Sequence, residues 1–473
     1  MSTITMKFGG TSVGSPEAIA TVADIVAEEV ARGSRVLVVV SAMAGVTDAL
    51  FSSVQEAAQG NRWAYRSCSK KLRDRHSEVV NLLMKPGKGR EALLADLDSL
   101  LDQHVQLCEA VNVLGEATPR IVDSVVSFGE RLSSRVVAGV LRERGVEAQA
   151  FDAGEFILTD DRYGAAVPQW QETQARINGG LRPVLERGIT PILTGFIGAT
   201  RDGHPATLGR GGSDYSGAIF AAGTDSDELI IWTDVDGVMT TDPRVDPRAR
   251  VLPYVSYTEV GELAFYGAKV LHPKTVQPIL TRGIPMRVKN TFNRHHPGTL
   301  IGPTSEQSST VIKAVTSVRN VSLLTVAGQG MIGVPGIAGR TFLAAARAGA
   351  NILMISQASS EQNFCFVVMD DRANEAKAAI EAELVTEIAR QDVDRIEVLN
   401  EVAIVTTVGA GMRGTPGVAG RVFTTMGNSQ VNVIAIAQGA SECSISFVID
   451  ERHLDTAVIS LHDLALESVP VPA

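Results

Sequence analysis

Lys7-Phe8-Gly9-Gly10-Thr11-Ser12 opens the chain. Thr3–Phe8 reads as a short strand that ends on a lysine and an aromatic residue. The two glycines that follow let a backbone approach a ligand closely, and Thr11 and Ser12 add hydroxyls. Ser15 then caps a helix whose first position is Pro16, with Ile19, Val22, Ala23 and Val26 as its apolar stripe. A cationic side chain, bare backbone and a helix N-terminus converge, which suits a polyphosphate. Glycine pairs also make ordinary turns, so this stretch alone leaves both readings open.

Working outward, Arg35–Val40 (RVLVVV) is a continuous β-branched run, as expected of a strand covered on both faces. Pro191–Ile197 and Glu228–Val235 are further strands. Strands separated by helical segments predict an α/β fold, an αβα sandwich around a mainly parallel sheet. Residues 48–115 are rich in Leu, Ala and charge, with a break at Lys85-Pro86-Gly87, and read as a helical insertion. The polar, Pro/Gly-containing stretch 293–310 marks a domain boundary. These readings divide the chain into 1–305, 316–396 and 398–473.

The 473 residues allow two to four domains. With 43 basic and 53 acidic residues the formal charge is −10, which argues against a nucleic-acid or anionic-membrane partner. Cys68, Cys108, Cys365 and Cys443 form no CxxC pair and read as free thiols; no metal site is expected. The N-terminus lacks a cationic region followed by an apolar one, and no apolar run is long enough to cross a membrane, so a cytoplasmic enzyme is expected.

The C-terminal part repeats itself. Gly328-Gln329-Gly330 through Phe342 returns as Gly409-Ala410-Gly411 through Phe423, with Asn351, Gln357 and Phe366 matching Asn432, Gln438 and Phe447. The offset is constant (409 − 328 = 81), and each unit reads strand, glycine turn, helix, strand, strand, helix. Each glycine turn is also G-x-G-x-x-G. Three features weigh against a dinucleotide site: the period is too short for a doubly wound domain, no acidic residue ends the following strand, and Pro335 and Pro416 sit where the binding helix would begin.

Four more motifs carry chemistry. Leu208-Gly209-Arg210-Gly211-Gly212-Ser213-Asp214-Tyr215 surrounds an arginine with glycines and opens a helix; Arg210 suits a carboxylate, and Asp214 reads equally as a helix cap. Trp232-Thr233-Asp234 through Thr241-Asp242-Pro243-Arg244 is a strand entering an acidic turn. Tyr266-Gly267-Ala268-Lys269-Val270-Leu271-His272-Pro273 offers a second lysine, and Ser127-Phe128-Gly129-Glu130-Arg131 a carboxylate.

KFGGTSV, SFGERLS, GRGGSDY, WTDVDGVMTTDPR and YGAKVLHP stand in the order found in aspartate kinases, and the chain resembles that family over nearly its whole length. Each repeat resembles an ACT domain, an amino-acid-sensing module. The resemblance implies the amino-acid-kinase fold followed by two βαββαβ ferredoxin-like ACT domains. In this family one ACT unit can be completed by a strand from the C-terminal end. The implied reaction is ATP + L-aspartate giving 4-phospho-L-aspartate, the start of lysine, threonine and methionine synthesis, with Mg²⁺ as the accompanying ion. Lys7, Asp214 and Lys269 would be catalytic. Ser41, Thr47, Glu130, Arg210, Gly211 and Ser213 would hold aspartate, Glu130 taking its ammonium. Lys7, Gly9, Gly10, Thr11, Ser12, Thr233, Asp234, Met239, Arg244 and Lys269 would hold ATP. Met239 stands where many members carry Tyr, so an apolar adenine pocket is expected and a ring stack is not implied.

Asn351, Ile352, Gln357, Asn432 and Gln438 would contact a regulatory amino acid. The Gln contexts resemble threonine-responsive members, with lysine as the alternative. Pairing of ACT domains implies a homodimer or homotetramer, and the repeats serving assembly alone is the plainer reading. The chain's end at Ala473 implies a monofunctional enzyme. A kinase for glutamate or N-acetylglutamate, or a sensor with an inactive catalytic half, are the competing readings.

Overall fold

The computed structural model describes residues 1–266, 273–303, 311–358 and 362–466. The chain forms two compact, interleaved units. One comprises Met1–Val238, Pro253–Tyr257 and Val270–Thr304; the other comprises Met239–Leu252, Thr258–Lys269 and Ser305–Ala473. Among the described residues no helix is long and apolar enough to cross a membrane.

The first unit contains β1 (Thr3–Phe8), β2 (Arg35–Val40), β3 (Ala148–Phe151), β4 (Thr190–Thr194), the β5–β6 ribbon (Ile197–Ala199, Pro205–Thr207), β7 (Glu228–Thr233), β8 (Tyr254–Ser256), β9 (Met286–Asn290) and β10 (Thr299–Gly302). Its main sheet runs β3-β4-β2-β1-β7-β9-β10-β8, parallel from β3 to β9. β2 shows why the sheet is sandwiched. Val36, Val38 and Val40 bury into one hydrophobic cluster, Leu37 and Val39 into another. Side chains alternate across a strand, so a run apolar at every position needs a layer on each face.

Pro191–Ile197, read from sequence as one strand, is two. β4 stops at Thr194, Phe196 adopts φ 68°, and β5 begins at Ile197. The helical insertion is three helices, Val46–Ala58, Arg62–Leu83 and Lys88–Leu114. Their Leu50, Leu72, Leu97 and Leu101 join the core beside β2.

The second unit holds one antiparallel sheet ordered β12-β13-β11-β14-β16-β15. Here β11 is Ala314–Ala327, β12 Met354–Gln357, β13 Asn363–Met369, β14 Arg395–Val408, β15 Ala435–Gln438 and β16 Ser444–Asp450. The two long strands, β11 and β14, pair along their whole length, and each serves both repeats. Residues 321–327 of β11 pair with β13, and residues 402–408 of β14 pair with β16. The changeover falls at Asn320 (φ 57°) and Glu401 (φ 56°), equivalent positions of the two repeats.

In the second repeat the strand beside residues 404–408 of β14 is supplied by residues 314–318 of β11, ahead of the first repeat. A repeat in sequence records which strands exist but carries no record of which strand pairs with which. Helices Ile337–Arg347 and Asp370–Glu383 cover one half of the sheet, and Val418–Asn428 and Leu454–Leu466 the other. All four cysteines are free.

Candidate active site

In open parallel sheets ligands collect beyond the carboxyl ends of the strands. A cavity of about 370 Å³ lies there in the first unit, beside the ends of β1, β2 and β4. Lys7, the penultimate residue of β1, is only 7% exposed, and a buried ammonium requires a partner. That partner is Asp214 Oδ1, in the first turn of the helix Gly212–Thr224. Gly217 on the same helix gives the lysine stem room, since a Cβ there would stand 3.2 Å from Lys7 Cβ.

The turn after β1 and the loop after β2 are laced together. Ser41 N donates to Phe8 O at 3.1 Å, and Ala44 N to Gly10 O at 3.0 Å. A Cβ on Gly10 would lie 3.0 Å from Ala42 O, so only glycine allows this approach comfortably. Arg75, from the helical insertion, donates to Ala44 O at 2.9 Å and Gly14 O at 2.8 Å, clamping both segments. Sequence reasoning passed over Arg75 because it sits among other charged residues of an amphipathic helix, with no local signal.

Glu130 lies on the helix Phe128–Glu143 and is almost wholly buried. Its Oε1 accepts the Ala42 N–H at 3.2 Å, while Oε2 has no hydrogen-bond partner. Burial pushes its carboxyl up to about 8; the Ala42 N–H and the charge of Lys7 oppose that rise. Arg210 is exposed at the cavity edge between Gly209 (φ 77°) and Gly211 (φ 72°). Its guanidinium makes no ion pair with another described residue, which leaves its fork of donors open to a ligand.

The cavity brings together Lys7, Gly10, Ser41, Thr47, Glu130, Arg210, Gly211, Ser213 and Asp214. It adds Asp48 and Phe196. Phe196 holds a left-handed conformation that bulky residues avoid, and a Cβ on Gly212 would lie 2.8 Å from its ring. No sequence signal marks such a residue, because phenylalanine is a poor choice for that conformation.

Other expected residues lie elsewhere. Gly9 donates its N–H to Trp232 O at 3.0 Å and, like the exposed Thr11, is outside the cavity lining. Ser12 is fully buried, bonded to Thr291 Oγ1 at 2.7 Å and Trp232 O at 3.4 Å. Thr233 ends β7, the neighbour of β1, and Asp234 follows it, with Thr233 Oγ1 donating to Asp234 Oδ1 at 3.2 Å. Met239 and Arg244 belong to the second unit, where Arg244 pairs with Asp242. Lys269 lies outside the described residues. Of the regulatory positions, Gln357 lines a cavity of about 330 Å³ with Met331, Val334, Ile337 and Phe364. Asn351 and Ile352 precede β12; Asn432 precedes β15, and Gln438 ends it.

An αβα sandwich whose strand ends gather a lysine–aspartate pair, glycine turns, a helix N-terminus, an open guanidinium and a buried carboxyl around one cavity has the arrangement of a small-molecule site. Comparison with known proteins sharpens this. Residues 2–290 match the amino acid kinase family, and 324–384 and 405–464 match the ACT domain. The chain is 35% identical over 461 residues to the chloroplastic bifunctional aspartokinase/homoserine dehydrogenase 1 of Zea mays, covering 96% of this chain and 50% of that protein. It thus spans about half the length of the bifunctional relatives it matches. With the chloroplastic aspartokinase 1 of Arabidopsis thaliana it shares 31% identity, covering 98% of this chain and 80% of the relative. The crystal structure of E. coli aspartokinase III in complex with aspartate and ADP superposes with TM-score 0.82 at 31% identity, covering 98% of this chain and 100% of that one. The lysine and aspartate complex of the same enzyme superposes at 0.77 and 30% identity, covering 98% and 99%. This chain belongs to the amino acid kinase family, among the aspartokinases that carry paired ACT domains.

Proposed function

We propose that the protein transfers the γ-phosphoryl group of ATP to the β-carboxylate of L-aspartate, giving 4-phospho-L-aspartate, the entry step to lysine, threonine and methionine. One observation carries the reading: a buried, half-unpaired carboxyl (Glu130) and an unpaired guanidinium (Arg210) line the same cavity as the Lys7–Asp214 pair. Glu130 takes the substrate ammonium and Arg210 a carboxylate, so the second carboxylate is left for reaction. That carboxylate is ionised at pH 7 and needs no general base. Positioning and charge neutralisation by Lys7 and by the amides of Gly10 and Gly211–Ser213 supply the catalysis, with Asp214 orienting the lysine. Thr233, Asp234, Met239, Arg244 and Lys269 are assigned to the nucleotide.

Among the described residues no group of three or more His, Cys, Asp or Glu is arranged to hold a metal. Mg²⁺ enters on the ATP phosphates, as this ion commonly does.

The ACT pair senses an end-product amino acid, and threonine is the favoured ligand. The Gln357 cavity is lined among described residues by apolar groups and one amide, without an acid to meet a lysine ammonium. Lysine is the alternative, supported by the lysine complex of the E. coli enzyme. Assembly through the ACT sheets is supported by equivalent edge residues, Ile355 and Ile436, each 45% exposed. A hydroxamate assay with ATP, Mg²⁺ and either aspartate or glutamate tests the activity; no acyl phosphate from aspartate removes the claim. Inhibition by lysine but not threonine overturns the effector assignment.

A further inference from the structure

The first unit has another cavity, of about 350 Å³, on the opposite face of β1 from Lys7. Side chains alternate across a strand, so Ile4 and Met6 line this cavity while Lys7 lines the other. The two cavities share no lining residue. The floor is made by β1, β7 and β9, and one wall by the helix Pro16–Ala31. Ile4, Met6, Ile25 and Ile230 make the interior apolar. The volume is that of a small-molecule pocket.

The rim is charged and almost balanced. Arg32 pairs with Glu29, Arg287 with Glu228 and Arg294 with Glu28, each at 2.8 Å. Lys289 is the fourth cation, and it makes no ion pair with another described residue. It is half-buried, and burial, followed by the neighbouring charge of Arg287, lowers its pKa.

Lys289 of β9 stands opposite Trp232 of β7, and Trp232 opposite Phe8 of β1. The Lys289 ammonium lies 5.1 Å from the centre of the Trp232 ring, and the Phe8 ring stacks at 5.9 Å. Trp232 is 4% exposed, and its indole N–H is buried with no acceptor. A buried donor without an acceptor is costly. Two neighbouring donors thus lack an acceptor at the edge of an apolar interior.

We propose that this cavity binds a small organic monoanion, a carboxylate with an apolar body, its charge on Lys289 and its body against Trp232, Ile230 and Met6. An amino acid suits the cavity less well, because the three carboxylates of the rim are already paired and none is left for an ammonium. No residue assigned above to aspartate or ATP lines this cavity.

Trp232 is itself the reporter. The other two tryptophans, Trp63 and Trp170, are 75% and 37% exposed, so Trp63→Phe/Trp170→Phe in the full-length protein leaves its emission alone. Titration with 3-phenylpropionate should change that emission and saturate. The uncharged 3-phenylpropanamide, and acetate, which has the charge without the body, should bind at least about tenfold more weakly, the low end for a lost charge-assisted hydrogen bond. In the same background Lys289→Met should weaken 3-phenylpropionate at least about tenfold, and Lys289→Arg should restore most of the affinity. Arg210→Ala, which removes the unpaired cation of the other cavity, should leave the affinity within about twofold, as expected of independent sites. Equal binding of acid and amide overturns the proposal, as does the absence of saturable binding. Affinity lost in Arg210→Ala but kept in Lys289→Met also overturns it, because the anion then sits in the other cavity. If Lys289→Met does not fold, the comparison of acid, amide and acetate on the protein with Lys289 intact decides.

Discussion

Glu130 and Ala42 are joined by a single hydrogen bond, Oε1 to the backbone N–H at 3.2 Å, which leaves Oε2 buried without a partner. The buried carboxyl is held protonated up to about pH 8 by the loss of water around it. An arriving ammonium lowers that pKa, so at pH 7 aspartate binding should release up to one proton. Affinity should rise with pH until about 8 and then level off. Calorimetry in buffers of different ionisation enthalpy measures the release. Glu130→Gln should abolish it, and a release equal in the variant counts against the assignment.

The same shift has a stability consequence. The folded pKa lies above the unfolded value of 4.5, so the folded state binds more proton between those values. The contribution of Glu130 is fully present below about pH 4.5 and is lost as pH rises toward 8. Glu130→Gln should therefore flatten the decline in melting temperature of the ligand-free protein between pH 6 and 8.

Lys7 is the cation placed beside Asp214 and at the end of the glycine turn. Lys7→Ala should lower kcat at least ~100-fold, the scale of one lost oxyanion donor. A steady-state kcat within threefold of the parent would sink its catalytic role.

Arg210 makes no ion pair with a described residue and faces the cavity. Removing a charge-assisted bidentate contact costs about 1.5–3 kcal/mol. Arg210→Ala should raise the KM for aspartate by roughly 10- to 100-fold while KM for ATP stays within twofold. Arg210→Lys should recover only part of the loss, because an ammonium lacks the planar fork.

Away from the chemistry, Asp123 is buried and accepts from Gly164 N at 2.8 Å, Thr207 N at 2.7 Å and Thr207 Oγ1 at 2.9 Å. Asp123→Ala leaves the buried Thr207 amide and the part-buried Gly164 amide without their acceptor, a loss of about 1–3 kcal/mol. A melting temperature lowered by several degrees, with both KM values little changed, is the expected result.

Sequence alone determined much of the local structure. The β-branched run Arg35–Val40, the cap Ser15-Pro16 and the glycine turns are local: each is dictated by the conformations its own residues allow, and each is where it was read. The Ser15 side chain does accept from Ala18 N, at 3.2 Å. The repeat at 81 residues marks two like modules in the sequence itself. Only the tertiary structure decided which strand closes which module, because pairing between strands distant in sequence depends on which edges meet, and residue type does not encode that. It likewise placed Ser12 in the core, drew Arg75 across to the turns, and set Glu259 against Lys313. The opening Lys7-Phe8-Gly9-Gly10-Thr11-Ser12 shows both halves of that division. Its strand and turn follow from its own residues. That Lys7 meets Asp214 at the wall of a cavity comes from a helix more than 200 residues away.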